Sequence, residues 1–207
     1  MQALVVCDTV PVERAEVITD REVPAEVISA VAVSRSGAPN RTVEIADGKF
    51  SFHAGLDAWD ILLVRSDFRT AVTRAVNNPS GGKDAPNSLG DYLNPVAIRQ
   101  FIDWTHEQYK KYLGAELGTT VLGFRGDEPD YAHTPWTPRI IEEFVRIKGY
   151  DPTPYLASFF TRTLSTEEQR VKADYWDVWS QLFATHFFKQ QADWCEENGV
   201  AHITHLN

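Results

Sequence analysis

The chain has 207 residues, 43% of them hydrophobic, and a net charge of −9, enough apolar material for one sizeable core or one core with a smaller companion. Its acidic balance, without clustered Lys and Arg, excludes a nucleic-acid backbone as partner and favours neutral or cationic ligands. No apolar run is long enough to span a membrane.

No basic segment precedes an apolar core near Met1, and Asp8 interrupts the first apolar run. The chain is therefore expected to stay where it is made, unless it is a piece of a longer exported protein. Cys7 and Cys195 are far apart in sequence and read as buried thiols, which leaves the redox compartment open.

Residues 1–66 have the texture of a β-rich antiparallel unit: LVVC, AEVISAVAVS, TVEIADGKFSFHA and WDILLVRS are rich in Val, Ile and Phe and separated by turn residues. The clearest signal is a hairpin. Val43 and Ile45 alternate with polar neighbours, Asp47-Gly48 tolerates positive φ, and Phe50 and Phe52 resume the alternation. Residues 67–93 show no period and read as a loop over a substrate. Gly81-Gly82-Lys83 lacks the flanking glycine and the following Ser or Thr of a phosphate loop.

From residue 94 the texture changes to strand and helix. Asn94 and Pro95 open a helix whose face carries Ile98, Phe101, Ile102, Thr105, Tyr109 and Tyr112 and which closes at Gly114. A strand is predicted over 119–124, a helix from Thr137-Pro138 to Gly149, and a short helix from Thr153-Pro154 with Tyr155, Leu156, Phe159 and Phe160 buried. Ser165 and Glu168 form a capping box for a long helix that reaches Trp194 and stops near Gly199. VAHITHLN reads as a final strand. Residues 67–207 thus read as successive βα units of a parallel sheet, a partial (β/α)8 barrel too short to close by itself.

The chemistry is expected where the strand over 119–124 ends, because the carboxyl ends of parallel strands are where such folds do their work. There the chain reads GDEPDYAH. Asp127 and Glu128 are adjacent on a chain leaving a strand, so their side chains are expected to point to different sides. Glu128 is the candidate general acid and Asp127 the neighbour that orients it. Alternatively the two pair with Arg125 or Arg139. A glycosidase also needs a second carboxylate, with Glu107 and Asp174 as candidates. Asp91, Tyr92, His106, Glu107, Trp136, Asp174, His205 and Asn207 are the expected substrate contacts, with Tyr92, Tyr131 and Trp136 as aromatic platforms for a sugar ring. Metal binding is the rival reading of the same loop: Asp130 and His133, beside the acidic pair, form an oxygen-rich set that suits calcium better than zinc. His202 and His205 lie three apart and face opposite sides of an extended strand, so they cannot share one ion.

Five segments carry a family resemblance: DYLNP (91–95), FRGDEPDY (124–131), PWTPRIIEEFVRIKGYDPTPYL (135–156), ADYWDVWS (173–180) and WCEENGVAHITHLN (194–207). In order and spacing they resemble the α-L-rhamnosidases of glycoside hydrolase family 106, over roughly residues 60–207. The resemblance implies a (β/α)8 barrel with β-rich insertions, a carbohydrate substrate, Glu128 as catalytic carboxylate or cation ligand, and calcium-assisted hydrolysis with inversion. It also implies a further acidic residue just beyond Asn207. Weak or no turnover by this chain alone is expected unless a partner completes the barrel. The alternative is a non-catalytic sugar-binding or assembly module, with a homodimer completing the barrel.

Overall fold

A computed structural model of the chain describes residues 3–68, 90–129, 131 and 134–205. The residues fall into two compact units: Leu4–Asp67 with Pro138–Val178, and Met1–Ala3, Phe68–Thr137 and Trp179–Asn207. The first is strand-rich at its N-terminal end. Strands β4 (Arg41–Thr42), β3 (Val27–Ser34), β6 (Trp59–Phe68) and β1 (Ala3–Val12) lie side by side in that order. β3 runs antiparallel to β6, from Val27 opposite Arg65 to Ser34 opposite Trp59. A separate antiparallel pair joins β2 (Val17–Glu22) to β5 (Lys49–His53). Alternation along these strands turns Val10, Val12, Ala30, Ala32, Phe50, Phe52, Trp59, Ile61 and Leu63 into one core.

The turn at Asp47-Gly48 forms as its sequence requires. Both residues have positive φ, 51° and 71°, and Ala46 and Lys49 exchange two backbone hydrogen bonds of 2.9 Å. The arms then part. Lys49–His53 pairs with β2, while Val43 donates its N–H to the Ala30 carbonyl at 2.9 Å. Phe50 and Phe52 are buried by this exchange of partners, which no local pattern encodes.

The remaining elements of this unit are helical. α3 (Ile140–Lys148) buries Ile140 and Phe144 and ends at Gly149, whose left-handed φ of 80° lets its N–H reach the Val145 carbonyl at 2.8 Å. A 3-10 segment (Thr153–Phe160) packs on β3 and buries Leu156. The capping box of α4 (Thr166–Leu182) closes in both directions. Ser165 N–H donates to Glu168 Oε2 at 2.7 Å and Glu168 N–H donates to Ser165 Oγ at 3.2 Å. Val171, Tyr175 and Val178 form its fully buried stripe.

In the other unit, the helix expected over 95–113 divides at Thr105, whose backbone (φ −118°, ψ −76°) leaves the helical path. α1 (Pro95–Trp104) is capped by Asn94, whose side chain accepts from Val96 N–H, and α2 (His106–Leu113) follows. Phe101, Tyr109 and Tyr112, expected on the buried face, are 41%, 53% and 73% exposed, while Ile98 and Ile102 are buried. The long helix is likewise interrupted: Phe183–Lys189 is a π-helical segment between α4 and α5 (Gln190–Glu197). A parallel pair, β7 (Gly123–Asp127) with β9 (Ala201–His205), lies against α5. β7 starts later than the predicted strand, because Thr119 and Thr120 fold back as a turn bonded to Glu116. Short β8 (Pro135–Trp136) completes the elements, and the fold class is mixed α/β with antiparallel sheets and this parallel pair.

Gly123 is needed for that pairing: a Cβ there would lie 2.5 Å from the Ala201 carbonyl oxygen, whereas one at Gly126 would meet only Thr204 at 3.6 Å. Gly123→Ala is expected to destabilise the chain by about 1–3 kcal/mol in urea unfolding. Gly126→Ala serves as the control that leaves the midpoint nearly unchanged.

Candidate functional site

The register of β7 and β9 sets Asp127 opposite His205 at the carboxyl ends of both strands. One residue on, Glu128 N–H donates to the His205 carbonyl at 2.9 Å and extends the ladder. Glu128 has a φ of 41°, left-handed backbone that is uncommon outside glycine and doubly so before a proline, here Pro129. Such outliers gather where the surrounding structure imposes them.

This twist overturns the expected divergence of the two carboxylates. In a straight strand they would alternate, but here both converge on one imidazole: His205 Nδ1 lies 3.2 Å from Asp127 Oδ1 and 3.6 Å from Glu128 Oε1. The donor atoms of the three side chains lie within 4.8 Å of one another. Arg125, on the same face of β7 as Asp127, brings a guanidinium nitrogen to 3.6 Å from Asp127 Oδ1. The Glu128 side chain is 20% exposed and that of Asp127 54%. The cluster can bind hydroxyl groups, pass a proton between carboxyl and imidazole, or hold a cation.

The oxygen-rich set expected for calcium rests on Asp130 and His133, which lie outside the described residues. The described cluster does not fit calcium well. It offers two carboxylates but places an imidazole where calcium takes oxygen, and an Nδ1 proton on His205 satisfies the same geometry by donating to Asp127.

The other expected site residues fall in three settings. His106 is buried, stacked on Phe124 at 4.5 Å and edge-on to Trp194 at 5.0 Å, with Nδ1 2.9 Å from Thr105 Oγ1. Burial, with the nearby His202, lowers its pKa. Phe124 and Asp127 face opposite sides of β7, so His106 packs behind the strand and not beside the carboxylates. Glu107 accepts from Trp194 Nε1 at 2.7 Å. Asp174 belongs to the other compact unit, where Tyr150 OH and Lys148 Nζ donate to it at 2.6 and 2.9 Å. Burial pushes its carboxyl upward, yet these donors carry it below the usual carboxylate range. The Tyr150 hydroxyl is pushed up to about 12 by burial and by donating to Asp174.

Asp91 is an anchor of the turn before α1. One carboxylate oxygen accepts from Leu93 N–H at 3.0 Å and the other from Thr137 Oγ1 at 2.8 Å. Tyr92 rests on Phe187 at 4.6 Å, Trp136 is buried, and Tyr131 leans on Trp179 at 4.6 Å. Tyr92, Tyr131, Trp136, Trp179 and Phe183 line a narrow cavity with room for about one water molecule, too small for a sugar ring. Asn207 and residues 69–89 of the loop expected over 67–93 lie outside the described residues.

The alternative pairing of the acidic pair with Arg125 is present for Asp127, while sequence reasoning missed the π-helical segment, from which His186 Nδ1 contacts the Leu93 carbonyl at 2.7 Å. No glycine or proline interrupts residues 166–189 to mark it. The left-handed Glu128 carries no signal in sequence either.

Residues 23–206 match the family model described as alpha-L-rhamnosidase, glycoside hydrolase family 106. Among solved structures, the rhamnosidase from Novosphingobium sp. PP1Y superposes with a TM-score of 0.55 at 21% identity, over 78% of this chain and 16% of that one. At that identity the likeness concerns the fold, and the chain spans only a small part of that protein's length. No curated protein matches the chain.

Burial raises the Asp91 carboxyl above the ordinary carboxylate value, and the hydrogen bonds from Thr137 and Leu93 only partly offset it. Between the ordinary and the raised value the folded chain holds a proton that the unfolded chain has released. Stability therefore falls as pH rises through that window and stays lowered above it. Asp91→Asn removes this term, so its stability relative to the parent is expected to improve as pH rises through the acidic range, measured by urea unfolding at stepped pH.

Proposed function

The chain belongs to glycoside hydrolase family 106, and from that premise we propose that it is part of a carbohydrate-acting hydrolase of the rhamnoside type, with Glu128 as general acid. β7 and β9 are then neighbouring strands of a (β/α)8-type region, with the cluster at its catalytic end. The observation that carries the reading is the convergence of Asp127, Glu128 and His205 where two parallel strands end. Glu128, the less exposed carboxyl, protonates the leaving glycosidic oxygen. Asp127 and His205 orient it and contact sugar hydroxyls.

Asp127 is beside Glu128 and not across a sugar from it: their donor atoms lie within 4.8 Å, shorter than the roughly 6.5–9.5 Å that leaves room for a water in inverting sites. Glu107 and Asp174 are each held by other partners. Among the described residues, none of these three stands across an open space from Glu128 as a second carboxylate would in an inverting site, and the cluster supplies the acid side of the pair. This favours sugar binding with slow turnover as the second reading. From the described residues, a homodimer would bring a second copy of the parallel pair beside the first.

Two measurements test the reading. L-Rhamnose added to isotopically labelled protein is expected to shift the backbone amides of Arg125–Glu128 and His205; no shift there at saturating sugar would sink it. Where aryl and alkyl α-L-rhamnosides are cleaved, Glu128→Gln is expected to lower turnover by about 10²–10⁴-fold, more for the alkyl leaving group, which needs the proton more. Equal losses for both leaving groups would remove the acid role.

A further inference from the structure

Outside the Glu128 cluster, the strand-rich unit carries a cleft of about 540 Å3 between the β3–β6 pair, with the turn after β3, and the end of the 3-10 segment with the residues that follow it. One wall is rigid. Arg35 donates through Nε and Nη2 to Asp60 Oδ1 at 3.0 and 2.7 Å and through Nη1 to Glu13 at 2.9 Å, and Ser34 and Ser36 both donate to Asp57. These groups satisfy one another and leave a preformed surface that needs no ordering on binding.

The opposite lip is differently made. Phe160 is 40% exposed there, although the rest of its segment supplies buried residues such as Leu156. Thr161, Arg162 and Thr163 follow it into the cleft, and Arg162 makes no ion pair among the described residues. Asn40 reaches in from the other side with only a long 3.4 Å contact to Glu168.

We propose that this cleft is a second carbohydrate-binding site, taking a neutral oligosaccharide with one ring face on Phe160 and hydroxyls on Thr161, Arg162, Thr163 and Asn40. An aromatic face beside amphiprotic donors and a guanidinium fork is the chemistry of a sugar, with an apolar face and a polar edge. Arg35 and Asp60 cancel each other within the cleft, and the net charge of −9 disfavours a polyanionic glycan. The site extends the carbohydrate reading of the chain but is independent of Glu128 and of turnover.

The test uses labelled full-length chain with cellohexaose, 1,4-β-mannohexaose and 1,4-β-galactohexaose as neutral probes and trigalacturonate as the anionic one. At least one neutral hexaose is expected to shift the amides of Gly37, Ala38 and Thr161–Thr163. Phe160→Ala should weaken that binding about tenfold, as loss of one ring contact of this kind would. Arg162→Gln, which leaves the ring in place, should weaken it less, and Glu128→Gln should leave it unchanged. Shifts confined to Arg125–Glu128, a response to trigalacturonate alone, or no response to any neutral hexaose would each overturn the proposal. If L-rhamnose still shifts Arg125–Glu128 while the hexaoses do nothing, the second site fails and the proposed function stands.

Discussion

The candidate site depends on the close parallel contact between β7 and β9. Gly123 lies so near the Ala201 carbonyl that no side chain fits between the strands, and this contact fixes the register four residues before the chemistry begins. Given the register, Asp127 must face His205. Glu128 N–H bonds the His205 carbonyl, the Glu128 backbone is left-handed, and the second carboxylate lies beside the same imidazole. Backbone packing at a glycine thus decides where two carboxylates meet.

The same strand pair sorts the titratable side chains of this unit. On the helix side of β7, Phe124 draws His106, Trp194 and Tyr109 into an aromatic layer, and Glu107 is taken up by the Trp194 indole. A buried polar group without a partner is costly, so residues on this side answer to the core first. On the other side, Arg125, Asp127 and His205 remain exposed. Solvent access and free donor capacity coincide there, which is why the side chains able to meet a ligand are the ones the core does not hold.

A similar division holds in the strand-rich unit. Lys148, Tyr150, Arg170, Asp174 and Asp177 form one network, with Arg170 also 4.5 Å above the Tyr150 ring. A charged run at the start of a long helix therefore folds into internal pairing and not into a binding surface. Beside Phe160, Arg162 makes no such ion pair among the described residues, and Thr161 and Asn40 make only long contacts of 3.4 Å.

Local features were legible wherever short-range chemistry decides alone. The Asn94 cap, the Ser165–Glu168 box, the Gly149 stop and the Asp47-Gly48 turn all form where the residues require, because each is settled within a few residues of chain. Long-range pairing was not legible: the hairpin arms leave each other for β2 and β3, and the helix over 95–113 breaks at Thr105. The sequence by itself determined that an acidic pair follows a strand and that the chain resembles family 106, since residue types and their order carry that information. Only the tertiary structure decided which acidic groups meet an imidazole and which serve as anchors elsewhere. Burial, a β7–β9 register and one left-handed residue gave His205 to Asp127 and Glu128, and gave Asp91, Glu107 and Asp174 to the fold.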